Sequence, residues 1–388
     1  MDFVIGLDVG TAGSRAVAVA ANGQLIASAA CGHPSQLTGP GRIEQDPADW
    51  WQSASSCLRS VTRQAGPAPL AVGVSGQMNG PVLIDGEGRV LGPCHIWADS
   101  RGTAECSQIT GRIGADRLIA LTGKPAVPAY TAAKLLWIRA HQRGRLAATR
   151  RVLLPKDYLR WRLDGALATD PSDASNTLLF DVGQRRWSGD IADELGLPAG
   201  ILPDVAESAE VTGRVTAQAA AATGLAECVP VVAGAGDSIT AAVASALAPG
   251  GPVLTVLGSA GNVSAVFAQP LIDLGGRVHT GCHASTGTWI ATGVHRVPVS
   301  YYPVQPTAGP AQAVDSPAQA VDSSALGAAI IAGTAAGMFG SLAAGAGLVR
   351  SADPVVSQPD PAEAAAYQAA FARYQQVTRQ LRSLPRAS

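Results

Sequence analysis

The chain has 388 residues, 47% of them hydrophobic and 15% charged, with a formal net charge of −1 at pH 7. That length predicts roughly two domains. So even a charge balance excludes a general binder of nucleic acid or of anionic membrane surfaces, which would carry a basic excess. The six cysteines (Cys31, Cys57, Cys94, Cys106, Cys228, Cys282) form no Cys-x-x-Cys pair. Buried thiols in a reducing, cytoplasmic compartment are therefore expected, rather than a disulfide framework or a zinc site. Met1-Asp2 carries no basic n-region, so no signal peptide is expected.

The apolar run Phe3-Val4-Ile5-Gly6-Leu7 predicts a buried strand. It leads to Asp8-Val9-Gly10-Thr11-Ala12-Gly13-Ser14, then to a second strand that turns at Asn22-Gly23 into a third. The Gly-rich turn can aim backbone N–H groups at a phosphate, and a carboxylate at the strand end can hold Mg²⁺ through water. A plain Gly hairpin with a solvated Asp8 is the alternative. Asp46-Pro47 predicts an N-cap and N1 pair, opening a helix whose apolar face is Trp50, Trp51, Ala54, Cys57, Leu58 and Val61. A strand over 70–75 follows, ending on Gly76-Gln77-Met78-Asn79-Gly80, and 82–91 read as a hairpin. These elements suit a mixed sheet covered by helices, and the class is α/β.

Residues 99–228 read as more helical. Spacing predicts helices over 132–141 and 157–163 with basic residues on the outer side, and Asp170–Asn176 reads as a polar turn. Pro230 opens a short strand that leads to Gly234-Ala235-Gly236-Asp237-Ser238 and a helix to about Leu247. Gly258-Ser259-Ala260-Gly261-Asn262 then echoes the first Gly turn between two apolar runs, which suggests two half-folds facing each other across a nucleotide. Residues 296–324 are Pro-rich and hold the tandem Ala-Gln-Ala-Val-Asp-Ser repeat of a linker. Residues 323–349 carry no Asp, Glu or Lys before Arg350. Their Ala/Gly composition favours a close-packed helix over a membrane span. An Ala-rich amphipathic helix is expected over 361–384.

Several motifs in order resemble the FGGY carbohydrate kinases, and within them the xylulokinases. These are Gly6-Leu7-Asp8-Val9-Gly10-Thr11, Gly76–Gly80, Ile96-Trp97-Ala98-Asp99-Ser100-Arg101, Lys134-Leu135-Leu136-Trp137, Leu153–Leu159, Thr169–Ser175 and Gly234–Asp237. The resemblance covers residues 3–292. It implies two actin-like (ribonuclease H-like) domains facing a cleft: an N-terminal domain over 1–228 and a shortened C-terminal domain over 229–388. It implies ATP and Mg²⁺ as cofactors and phosphorylation of a ketopentose, most simply D-xylulose to xylulose 5-phosphate. Asp237 would be the general base and a sugar contact. Gln77, Met78 and Asn79 would meet the sugar. Gly10, Thr11, Gly258 and Ser259 would contact phosphate, and Asp8 would serve the metal. In xylulokinases a His usually stands where this chain has Asn79. The family's long block after the strand near Trp289, with its adenine turn, is replaced here by the linker, so the chain reads as internally shortened. A degenerate kinase-fold protein that binds sugar with little turnover is the competing expectation. The implied partners are a small-molecule sugar and a nucleotide, with no nucleic acid and no membrane. A homodimer is one way the missing wall could be supplied.

Overall fold

The computed structural model describes residues 1–198, 200–257, 261–295 and 323–349. Gly258 and Ser259, most of the linker over 296–324, and the helix expected over 361–384 lie outside the described residues. Residues Met1–Arg350 form one unit.

Its first sheet starts with three antiparallel strands, β1 (Phe3–Val9), β2 (Gly13–Ala20) and β3 (Leu25–Gly32). β4 (Val72–Gly76) lies parallel to β1, and β5 (Val211–Arg214), β6 (Pro230–Val232) and β7 (Ala235–Gly236) complete it. The order is β5-β6-β4-β1-β2-β3, with β7 also parallel to β4. This is the mixed sheet the sequence predicts.

A second sheet holds β8 (Leu254–Leu257), β9 (Gly261–Phe267), β10 (Val278–Cys282) and β11 (Trp289–His295), in the order β8-β9-β11-β10. β8 and β9 pair as an antiparallel hairpin, Leu257 opposite Gly261, as the echo of the first Gly turn suggests. β6 and β7, within the half expected to form the second domain, pair with β4 in the first sheet, and the division at 228/229 stands as a proposal.

Helix α1 (Pro47–Ala65) starts as its sequence dictates. Asp46 accepts from the Ala48 N–H and Pro47 takes N1. Trp50, Ala54, Cys57, Leu58 and Val61 are buried, and Trp51 is half-buried beneath the Arg162 guanidinium. Three helices follow in the region expected to be helical: α2 (Thr131–His141), α3 (Pro155–Asp164) and the single turn α4 (Pro171–Ala174), the last capped by Asp170. The expectation of outward basic residues on α2 and α3 is corrected. Lys134 and Arg160 are fully buried, each tied to polar partners, as is Lys156 just before the expected second helix.

One face of the first sheet (Phe3, Ile5, Leu7, Val9) is covered by α1, α3 and α5 (Ala217–Thr223). The other face receives α6 (Asp237–Ala244), α7 (Ser323–Ala335) and α8 (Leu342–Val349). The uncharged stretch 323–349 is thus two helices, and no described helix is long and apolar enough to cross a membrane. Helix α7 begins inside the last two residues of the stretch read as a linker. Small residues set its seat. A Cβ at Gly6 would run into the Ala325 carbonyl, and one at Gly73 into that of Ala328. The helix backbone therefore rests almost directly on the sheet, a closeness that only glycine permits.

Candidate functional site

Strands β1, β4 and β7 run parallel and end at the same edge. Asp8 and Val9 sit beside Ser75 and Gly76, and Ala235 and Gly236 sit beside the same pair on the other side. The residues that follow these ends converge: the Gly10 turn after β1, Gln77-Met78-Asn79 after β4, and Asp237 after β7. β1 and β7 flank β4, so they stand two strand spacings apart, roughly 10 Å. The carboxyl ends of parallel strands are where open α/β sheets place their ligands.

Asp8 is 3% exposed. In the turn beyond it, the Gly10 N–H donates to the Gly13 carbonyl at 2.9 Å. Gly13 is required for a different reason from phosphate access. A Cβ there would strike the Cys31 carbonyl on β3. The turn is braced by His33, whose Nε2 lies 3.1 Å from the Gly10 carbonyl and whose Nδ1 lies 3.2 Å from Ser53 Oγ. Burial pushes the His33 imidazole down to about 4, so it stays neutral as a brace. The Thr11 hydroxyl accepts from Trp97 Nε1 at 2.8 Å.

Gln77 is fully buried, and its Nε2 donates to Gln45 Oε1 at 2.7 Å. Gln45 is a hub that the sequence reading missed. Its Oε1 also accepts from Trp50 Nε1, and its Nε2 donates to the Thr11 carbonyl and to Ser35 Oγ. It links the loop after β4 to the turn after β1. Met78 fills the space that a side chain on Gly236 would take, and its Sδ accepts from Ser238 Oγ at 3.3 Å. Asn79 has a left-handed backbone, φ 73°. The side-chain oxygens of Gln77 and Asn79 have no partner among the described residues.

Asp237 is the first residue of α6, with Gly236 as the N-cap, so its carboxylate sits where the helix dipole favours negative charge. Its Oδ1 accepts from the Ser238 N–H at 2.7 Å. Behind it lies a buried charge cluster. Lys156 Nζ is 2.5 Å from Asp157 Oδ1, 3.0 Å from Asp170 Oδ1 and 3.9 Å from Asp173 Oδ2. Burial opposes the Lys156 charge, but the three carboxylates outweigh it and hold the ammonium above its usual range. Asp173 is raised well above the carboxylate range by burial, and the neighbouring charges of Asp157, Asp170 and Asp237 add to the rise against Lys156. Ser172 accepts from the Gly236 N–H, and Asp170 also accepts from Ser208 Oγ, so the cluster fixes the end of β7. Lys156 and Asp173 fall within the motifs quoted above.

A match to the FGGY family of carbohydrate kinases, N-terminal domain, spans residues 3–244. The chain belongs to the FGGY family of carbohydrate kinases. Within it, the chain is 35% identical over 286 residues to the xylulose kinase of Escherichia coli K12, covering 74% of this chain and 58% of that protein. It is 32% identical over 297 residues to the xylulose kinase of Bacillus subtilis 168, covering 76% and 59%. The solved xylulose kinase of Rhodospirillum rubrum superposes with a TM-score of 0.73 at 30% identity, over 76% of this chain and 61% of that one. This FGGY chain thus spans a little under three fifths of the length of the curated relatives it matches. Fold and family agree with the two-domain actin-like reading, the second domain being shortened.

Among the described residues no group of three or more His, Cys, Asp or Glu could hold a metal ion. Mg²⁺ keeps several waters and binds through one or two carboxylates and substrate phosphates. Asp8, a buried carboxylate at the end of β1 beside the Gly10 turn, has the chemistry of such a donor.

Proposed function

We propose that this chain phosphorylates a ketopentose, D-xylulose first among them, with ATP as the phosphoryl donor. The observation that carries the reading is the convergence of Asp8, Gln77 to Asn79 and Asp237 at one sheet edge, in a chain 35% identical to a xylulose kinase. Asp237 accepts the proton of the sugar hydroxyl as its oxygen forms the bond to the γ-phosphorus and the bond to the leaving ADP oxygen breaks. Met78 and Asn79 meet the sugar, and Gln77 holds their loop through Gln45. Gly10 and Thr11 shape the phosphate turn, with Gly258 and Ser259 meeting phosphate from the second half. Asp8 would hold Mg²⁺, which neutralises charge on the phosphates when bound. Most of the rate would come from placing the hydroxyl and phosphorus in line.

One observation favours a second reading, a kinase-fold protein that binds sugar but turns over little. The second sheet leaves Val263 and Phe267 open to solvent, 50% and 37% exposed, where a complete domain would bury apolar surface. Incubating the purified 388-residue chain with Mg-ATP and a ketopentose panel separates the two. Phosphorylated D-xylulose supports the first reading. Binding by calorimetry without product supports the second.

A further inference from the structure

The segment after β4 is pinned in a conformation that L side chains rarely adopt. Asn79 is left-handed, and a Cβ on Gly80 would collide with Cys94 Sγ. Two side chains one turn apart on α2 converge on the Asn79 carbonyl. Thr131 Oγ1 donates to it at 3.1 Å and Lys134 Nζ at 3.3 Å. Lys134 Nζ also donates to the Ala129 carbonyl at 2.6 Å.

Lys134 is fully buried, and the hydrogen bonds of its Nζ among the described residues go to the Asn79 and Ala129 carbonyls. Burial pushes its ammonium down to about 7, a shift that the Arg101 charge adds to and that Cys94 and Asp99 only partly offset. A buried ammonium held by carbonyls alone is a costly way to fill space that a methionine would fill. It gains nothing in packing. What it does is grip one carbonyl of the loop that carries Met78 and Asn79.

We infer that Lys134, assisted by Thr131, is a positioning residue for the sugar, locking the left-handed Asn79 so that the Met78–Asn79 loop is held ready at the sheet edge. The inference rests on the proposed reading of Gly76–Gly80 as the sugar segment. The molecule supplies its own control. Lys124 is also buried, also lowered to about 7 by burial, and also held by two carbonyls, those of Ser175 and Thr280, but it grips the second sheet and not the loop.

The test measures D-xylulose affinity by calorimetry and the separate KM values for sugar and ATP, with melting temperature alongside, on the full chain. Lys134→Met is expected to weaken sugar binding about tenfold or more, to leave the KM for ATP within about twofold, and to keep the melting temperature at or above wild type. Thr131→Val is expected to weaken sugar binding by a smaller factor, and Lys124→Met to leave it unchanged. A folded Lys134→Met chain with wild-type sugar affinity overturns the inference. If Lys134→Met does not fold, wild-type sugar affinity in Thr131→Val overturns it. Equal weakening by Lys124→Met overturns it as well, because the effect would then belong to buried lysines in general. A wild-type chain that binds no ketopentose overturns the functional reading, and the inference with it. Intact wild-type binding with an unaffected Lys134→Met overturns the inference alone.

Discussion

In the first sheet every residue of β1 and β4 is buried, between α1 and α3 on one face and α6 and α7 on the other. In the second sheet, β9 buries Val266 at 3% exposure while Val263 and Phe267, on the opposite face, stand open. Val266, Ile290 and Ala284 join the core that lines the α6–α7 side of the first sheet. On the face that carries Phe267, Cys282 and Trp289 pack with Ala174 and Phe180, and polar contacts add to them. The Thr280 N–H donates to the Gly123 carbonyl, the Cys282 N–H to Ser175 Oγ, and Trp289 Nε1 to the Val182 carbonyl. Apolar burial is the main favourable term in folding, and main-chain and side-chain hydrogen bonds add little net. The residues proposed to serve sugar and proton transfer follow strands of the sheet buried on both faces, whereas the second sheet is open along β9 and closed at β10 and β11, where Cys282 and Trp289 are buried.

The largest effect should come from the charged cluster behind Asp237. Lys156→Met leaves Asp157, Asp170 and Asp173 buried without their cation, a loss of about 3–5 kcal/mol. Urea unfolding should report it, and a change below about 1 kcal/mol would show that the cluster does not hold the end of β7. Next, Gly73→Val drives a side chain into the Ala328 carbonyl and should cost about 1–3 kcal/mol by lifting α7 from the sheet. Unchanged stability would mean that α7 does not rest there.

The pH dependence follows from buried bases. Burial lowers His33 and His283 to about 4, so the unfolded chain binds more protons between about 4 and 6.5. Stability is then full above 6.5 and is lost as pH falls toward 4. Lys124 and Lys134, lowered to about 7, act at the other end. Stability should rise between about 7 and 10.5, where only the unfolded lysines keep their protons. Lys124→Met should flatten part of that rise, and an unchanged slope would show that Lys124 is not buried. The smallest effect compares the sheets directly. Val4→Thr places a hydroxyl in the first core and should cost about 1–3 kcal/mol. Val263→Thr, on the open face of β9, should stay within about 0.5 kcal/mol. Equal costs at the two valines would show that the open face is covered in solution.

What was legible in the sequence was local. The cap at Asp46-Pro47, the buried β1, the hairpin at Asn22-Gly23 and the Gly turn after Asp8 each depend on neighbours in sequence, and all formed as read. The convergence of Asp8, Gln77 and Asp237 was legible only through ordered motifs, because strand adjacency is set by long-range pairing. Gln45 was missed since a lone polar residue before an N-cap carries no pattern. Its role appears only when Thr11, Trp50 and Gln77 are brought around it. Lys134 and Arg160 read as outward because charge usually marks a solvated face. Carbonyls and carboxylates gathered around them make their burial tolerable. Gly6 and Gly73 read as ordinary strand glycines until α7, about 320 and 255 residues away in sequence, settles against them.

The central proposal is that Asp237, at the N-terminus of α6, accepts the proton in phosphoryl transfer beside the segment proposed to meet the sugar. The measurement that tests it most directly is D-xylulose phosphorylation by wild type and Asp237→Asn in single-turnover assays, with sugar affinity measured on both. The account predicts that the Asn variant binds the sugar to within a few-fold of wild type and loses about 10²–10⁴ of the rate. A variant that phosphorylates at close to the wild-type rate would contradict it.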